Sequence, residues 1–133
     1  IIPLLKKYKN FEWLGLLEYP NKVREFLDEI DVYALISGID TSPLTLQEAQ
    51  LMKKPVIATN VGGIPELMIE NETGYLINKG DYKDWIKKIE ILLNDEKKSK
   101  EMGKKGREFV EKEFNWNKIA ENFLKIVKQN SKI

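Results

Sequence analysis

Two short, uninterrupted apolar runs most limit what this chain can fold into. Val32–Ile36 reads VYALI and Val56–Thr59 reads VIAT. Both consist largely of β-forming residues, and neither alternates apolar with polar as a half-wet strand would. Such runs suit strands of a parallel sheet with helices on both faces. Residues 43–53 between them have helical character, so strand, helix, strand is the expected unit, with a right-handed crossover. Tyr75–Ile77 adds a third strand after the turn chemistry of Asn71–Gly74, and Phe11–Leu14, closed by Gly15, reads as another. Residues 3–9 read as a helix end or an incoming loop. Further helices are expected over Asn21 to Ile30, around Pro65–Ile69, after the capping residue Asp81, and over 96–112. The helix after Asp81 would carry Trp85, Ile86, Ile89, Leu92 and Leu93 on one face. The last helix carries Trp116, Ile119, Ala120, Phe123, Leu124 and Val127, a stripe expected to be mostly core. The predicted fold class is α/β, a Rossmann-like parallel sheet flanked by helices, in a single domain over 1–133.

A chain of 133 residues can bury roughly two-thirds of its unfolded surface. Cysteine and histidine are both absent. Disulfides, zinc sites with Cys or His ligands, thiol nucleophiles and Ser-His triads are therefore excluded within it. Acid–base chemistry must come from Asp, Glu, Lys or Tyr. The net charge of +1 gives no field that would draw nucleic acid or an anionic membrane. No apolar run approaches ~20 residues and no signal-peptide pattern opens the chain, so a cytoplasmic protein is expected. The start at Ile1-Ile2, without Met, suggests a piece of a longer protein.

In parallel α/β sheets, ligands bind beyond the carboxyl ends of the strands. Here the loops after Ile36 and Thr59 occupy that edge. Ser42-Pro43 is expected to start a helix, with Ser42 as cap and Pro43 as first helical residue. The amides of Leu44, Thr45 and Leu46 would then be free for an anion, although most such starts are only well-capped helices. On a helical wheel Gln47, Gln50 and Lys54 form a polar stripe, and Glu48 lies roughly 160° from Gln50. Its neighbours are Leu44, Thr45, Leu51 and Met52. A carboxylate on an apolar face needs a partner. That partner is either a buried donor of the protein or the hydroxyls of a ligand, such as a sugar diol. Gly62-Gly63 permits close backbone approach, and Pro65 with Glu66 opens the next helix. Asp40 and Glu48 thus share one sheet edge with two helix starts, which suits a ligand combining phosphate with hydroxyls.

The stretch DTSPLTLQEAQLMKKPVIATNVGGIPELMIENETGYLI closely resembles the donor-binding half of retaining glycosyltransferases of family 4, which have the GT-B fold. The likeness rests on an acid, seven residues and Glu-Ala, then PVIAT-x-x-GG-x-PE and a GxTG-φ-L turn. It is dense over about 40 residues and looser at FxxLG (Phe11–Gly15) and in the final helices. The resemblance implies that Glu48 binds the ribose hydroxyls and Asp40 faces the donor sugar or its anomeric region. Ser42, Pro43, Leu44 and Thr45 would hold the diphosphate at the helix start, and Gly62 and Gly63 would flank the donor sugar. The family usually has Glu where Asp40 stands, and a Gly near Pro43-Leu44. An Arg and Lys pair on the diphosphate and an N-terminal acceptor domain would lie outside these residues.

The resemblance therefore implies most of the C-terminal domain of a GT-B enzyme, without its first βα units. The parent would transfer a sugar from a nucleotide-diphosphate sugar to an acceptor hydroxyl, while the isolated piece is expected to be inactive. No cofactor is implied, and the absence of a DxD sequence fits a metal-independent enzyme. A peripheral membrane acceptor remains open for the parent. The alternative is a non-catalytic sugar-nucleotide-binding or interaction module. A GT-B epimerase would need other acids and a His, and a Rossmann oxidoreductase would need G-x-G-x-x-G. Because the last GT-B helix packs across the other domain, part of the Trp116–Val127 stripe is expected to be exposed here and to drive self-association.

Overall fold

The computed structural model describes residues 2–131. The elements run α1 (Ile2–Leu5), α2 (Asn21–Glu29), β1 (Tyr33–Leu35), α3 (Leu44–Leu51), β2 (Val56–Thr59), a 3-10 turn (Ile64–Leu67), β3 (Gly74–Ile77), α4 (Tyr82–Asn94), α5 (Glu96–Glu113) and α6 (Trp116–Asn130). The three strands form one parallel sheet in the order β1-β2-β3. Tyr33 pairs with Val56 and Leu35 with Ala58, and Val56 in turn pairs with Gly74.

The central strand explains its own composition. All four residues of β2 are buried, with Val56 and Ala58 on one face and Ile57 on the other. Leu27 of α2, Leu46 and Ala49 of α3, and Ile64, Leu67 and Met68 close the first face. Tyr75 and Ile77 of β3, Trp85 and Leu92 of α4, and Met102 of α5 build the second core around Ile57. Burying one such aliphatic or aromatic side chain contributes roughly 1.5–3 kcal/mol relative to leaving it wet.

Away from β2 the sequence-based expectations need correcting. β1 is not buried on both faces: Ala34 and Ile36 are exposed, and Tyr33 and Leu35 are half-buried. Among the described residues it is an edge strand that pairs only with β2. Phe11–Leu14 is not a strand. Backbone of that kind needs a neighbour to pair with, and among the described residues none lies beyond β1. The helix around Pro65–Ile69 is the shorter 3-10 turn. Of the expected face of α4, Trp85 and Leu92 are buried, while Ile86 and Leu93 are exposed.

The helix starts after β3 obey capping rules. Asp81 accepts from the Asp84 amide at 3.1 Å, Asp95 from Lys98 at 3.0 Å, and Asn115 from Lys118 at 2.8 Å. Helix α5 packs on α3 at Gly106, where a Cβ would lie 3.3 Å from the Gln50 Cγ, and crosses the turn after α3 at Gly103, where it would lie 1.9 Å from the Lys53 carbonyl oxygen. The stripe on α6 is not core. No residue of that helix is buried, and Trp116 is 85% and Phe123 65% exposed. No helix among the described residues is long and apolar enough to cross a membrane.

Candidate functional site

The loops after β1 and β2 meet at the carboxyl edge of the sheet, as the strand order requires. Gly62 has φ +55°, and a Cβ built there would lie 1.7 Å from the Asp40 carbonyl oxygen. At Gly63 it would lie 1.8 Å from the Thr41 carbonyl oxygen. The Gly63 amide donates to the Asp40 carbonyl at 3.0 Å. The two glycines are thus small because one loop is pressed against the other. Asp40 itself is half-buried. The Ser37 hydroxyl donates to the Ile39 carbonyl at 3.0 Å and approaches the Asp40 carboxylate at 3.5 Å. Thr59, at the end of β2, reaches the same loop. Its Oγ1 accepts from the Ser37 amide at 3.0 Å and donates to the Leu35 carbonyl at 3.3 Å.

The start of α3 differs from the expectation. Helix α3 begins at Leu44, Pro43 occupies the cap position with an extended ψ of 110°, and no side chain caps the helix. Ser42 is exposed and does not cap. Pro43 is thus not the first helical residue, because its backbone is extended there. The Leu46 amide is taken by the Pro43 carbonyl at 3.1 Å. Among the described residues no acceptor takes the amides of Leu44 and Thr45. Two of the three expected amides therefore remain available for an anion at the positive end of the helix.

Glu48 is half-buried one turn further along α3, and the wheel misplaces its surroundings. Gln50 is fully buried, its amide donating to the carbonyls of Leu67 at 2.9 Å and Leu46 at 3.3 Å. Of the supposed polar stripe Gln50 therefore faces the core and α5, while Gln47 and Lys54 are half-buried. Leu44 is 67% and Leu51 39% exposed, so the supposed apolar face is the open one. Glu48 borders an apolar groove of about 200 Å3 between α2 and α3, lined also by Tyr19, Pro20, Val23, Arg24 and Leu51. Tyr33 feels the field of both acids. Burial pushes its phenol above the usual tyrosine range, a hydrogen bond with Thr45 opposes this, and the carboxylates of Glu48 and Asp40 add to it. Thr59 and Tyr33 escaped the sequence reading because both look like ordinary strand formers.

A larger cleft of about 360 Å3 lies at the opposite edge, by Asp31, Lys53, Pro55 and Glu96. It adjoins the amino ends of β1 and β2, away from the uncapped helix start and both acids.

Residues 4–109 match the family described as Glycosyl transferases group 1. The chain belongs to that family. As a group 1 glycosyl transferase chain it is 33% identical over 123 residues to N-acetyl-alpha-D-glucosaminyl L-malate synthase of Bacillus anthracis, covering 92% of this chain and 32% of that protein. Sucrose-phosphate synthase from Thermosynechococcus elongatus superposes with a TM-score of 0.83 at 27% identity, over 96% of this chain and 33% of its own. Anabaena HepE, solved in complex with UDP-glucose, shares the fold with a TM-score of 0.80 at 20% identity, over 96% of this chain and 35% of its own. The mixed α/β fold is that of GT-B glycosyltransferases. This group 1 chain thus spans about a third of the relatives it matches.

Proposed function

We propose that this chain is the donor-binding portion of a retaining glycosyltransferase that moves a sugar from a nucleotide-diphosphate sugar to an acceptor hydroxyl. The observation that carries it is the uncapped start of α3, with the free amides of Leu44 and Thr45 between Asp40 and Glu48. The diphosphate binds at that helix start, along Ser42–Thr45, where partial positive charge meets it. The ribose diol donates to Glu48. The nucleobase lies in the apolar groove that Glu48 borders, beside Tyr19 and Arg24. Asp40 faces the sugar, flanked by the Gly62–Gly63 loop. Relatives named as an N-acetyl-alpha-D-glucosaminyl L-malate synthase and a sucrose-phosphate synthase, and a same-fold neighbour solved with UDP-glucose, support this assignment.

In the transfer step the bond from the anomeric carbon to the diphosphate oxygen breaks, and the helix dipole stabilises the charge that collects there. The acceptor hydroxyl attacks from the face the diphosphate leaves and passes its proton to the departing diphosphate oxygen, so configuration is retained. No metal is invoked. The acceptor side and the cations facing the diphosphate are assigned to a longer cytoplasmic parent, and the chain alone should not turn over.

Titration of the chain with UDP-glucose, GDP-mannose and ADP-glucose tests this. One base class should bind, and the matching nucleoside, lacking the diphosphate, should bind at least about tenfold more weakly, a loss of about 1.4 kcal/mol. Equal binding of nucleoside and nucleotide sugar would contradict the diphosphate site. Asp40 is one methylene shorter than the Glu usual in the family that the sequence resembles. A sugar-nucleotide-binding module without catalysis is therefore the second reading, favoured if the complete parent binds donor but neither transfers nor hydrolyses it.

A further inference from the structure

We propose that Thr59 is a positioning residue for the donor sugar, its buried hydroxyl holding the loop that presents Asp40. The inference rests on the assignment of Asp40 to the sugar. Thr59 ends the central strand and is 2% exposed. A hydroxyl buried there is costly unless both its donor and its acceptor are used. Both are used on a single target. Its O–H donates to the Leu35 carbonyl at 3.3 Å, and its oxygen accepts from the Ser37 amide at 3.0 Å. Those two groups flank the point where β1 stops pairing with β2, since the ladder ends at Leu35 opposite Ala58. The side chain of Thr59 thus replaces the strand backbone as partner for the departing loop.

From Ser37 the fixation passes to Asp40. The Ser37 hydroxyl holds the Ile39 carbonyl and faces the Asp40 carboxylate, while the Gly63 amide holds the Asp40 carbonyl from the other loop. Valine at 59 would fill the same volume and suit a strand equally well. What it would lose is the pair of bonds to the Asp40 loop. Glu48 sits on α3 and makes no bond to Thr59. The hydroxyl should therefore matter for the sugar and not for the nucleotide.

The test compares the whole chain with its Thr59→Val and Thr59→Ser variants, using UDP-glucose against UDP, or the matching pair if another base is preferred. Amide hydrogen exchange at Ser37 is followed in parallel. Thr59→Val should speed Ser37 exchange and weaken nucleotide-sugar binding by about three- to tenfold, with nucleotide diphosphate unchanged, and Thr59→Ser should restore both. Unchanged Ser37 exchange, or equal weakening of both ligands, would overturn the proposal. If the unaltered chain binds neither ligand, the donor assignment itself fails. That outcome is distinct from a variant that fails to discriminate in a chain that binds.

Discussion

At the scale of single residues, contacts that sequence cannot display decide the site. Gly62 could be read as a permissive turn residue, but its partner could not, because the Asp40 carbonyl comes from a loop some twenty positions earlier. Gly62→Ala must relieve both the positive φ and a backbone collision. It should lower stability by at least about 2 kcal/mol in urea unfolding. Glu48 shows the limit of a helical wheel. The wheel separates Gln50 from Glu48 correctly, but it has no means of knowing that α5 covers the Gln50 side. A buried glutamine and a wet leucine invert the ordinary hydropathy rule, so the wheel's reason for singling out Glu48 does not hold. Tyr33 yields a pH prediction. Burial raises its folded phenol above the usual range, opposed by a hydrogen bond with Thr45 and aided by the charges of Glu48 and Asp40. A raised folded value gives stability that is complete below about pH 10 and is lost as pH rises through it. Tyr33→Phe should flatten that alkaline decline in unfolding measurements between neutral and strongly alkaline pH.

At the scale of elements, the strands and capped helices were legible because their signals are local. Asp81, Asp95 and Asn115 each accept from the amide three residues on, and β2 is buried at every residue. What failed depended on neighbours. Phe11–Leu14 has the composition of a strand but no partner, and β1 has that of a central strand but lies at an edge. The crossing of α5 over the turn after α3 rests on Gly103, which its own segment, rich in lysine and glutamate, does not advertise. Gly103→Ala should cost about 1–3 kcal/mol and loosen that crossing. Helix α6 leaves Trp116, Ile119, Phe123, Leu124 and Val127 in water, an unusual amount of apolar surface for one helix. The chain by itself should therefore self-associate as its concentration rises. In sedimentation velocity Phe123→Lys should reduce that association, and a strictly monomeric chain across the series would defeat the expectation.

At the scale of the whole molecule, the chain belongs to the group 1 glycosyl transferases, and at its sheet edge the Asp40 loop, pressed on Gly62, precedes the uncapped start of the helix that carries Glu48. The family was legible from about forty contiguous residues, because the acids, the strand and the glycine turn keep their spacing. The groove beside Glu48 was not, since it joins α2 to α3 from separate parts of the sequence. The central claim is that Glu48 receives a nucleotide's ribose at that edge. Calorimetric titration of the preferred nucleotide sugar into the chain and its Glu48→Ala variant tests this most directly. Two charge-assisted hydrogen bonds are at stake, so the variant should bind at least about tenfold more weakly with an unchanged unfolding midpoint. Equal affinity in the two proteins would contradict the account.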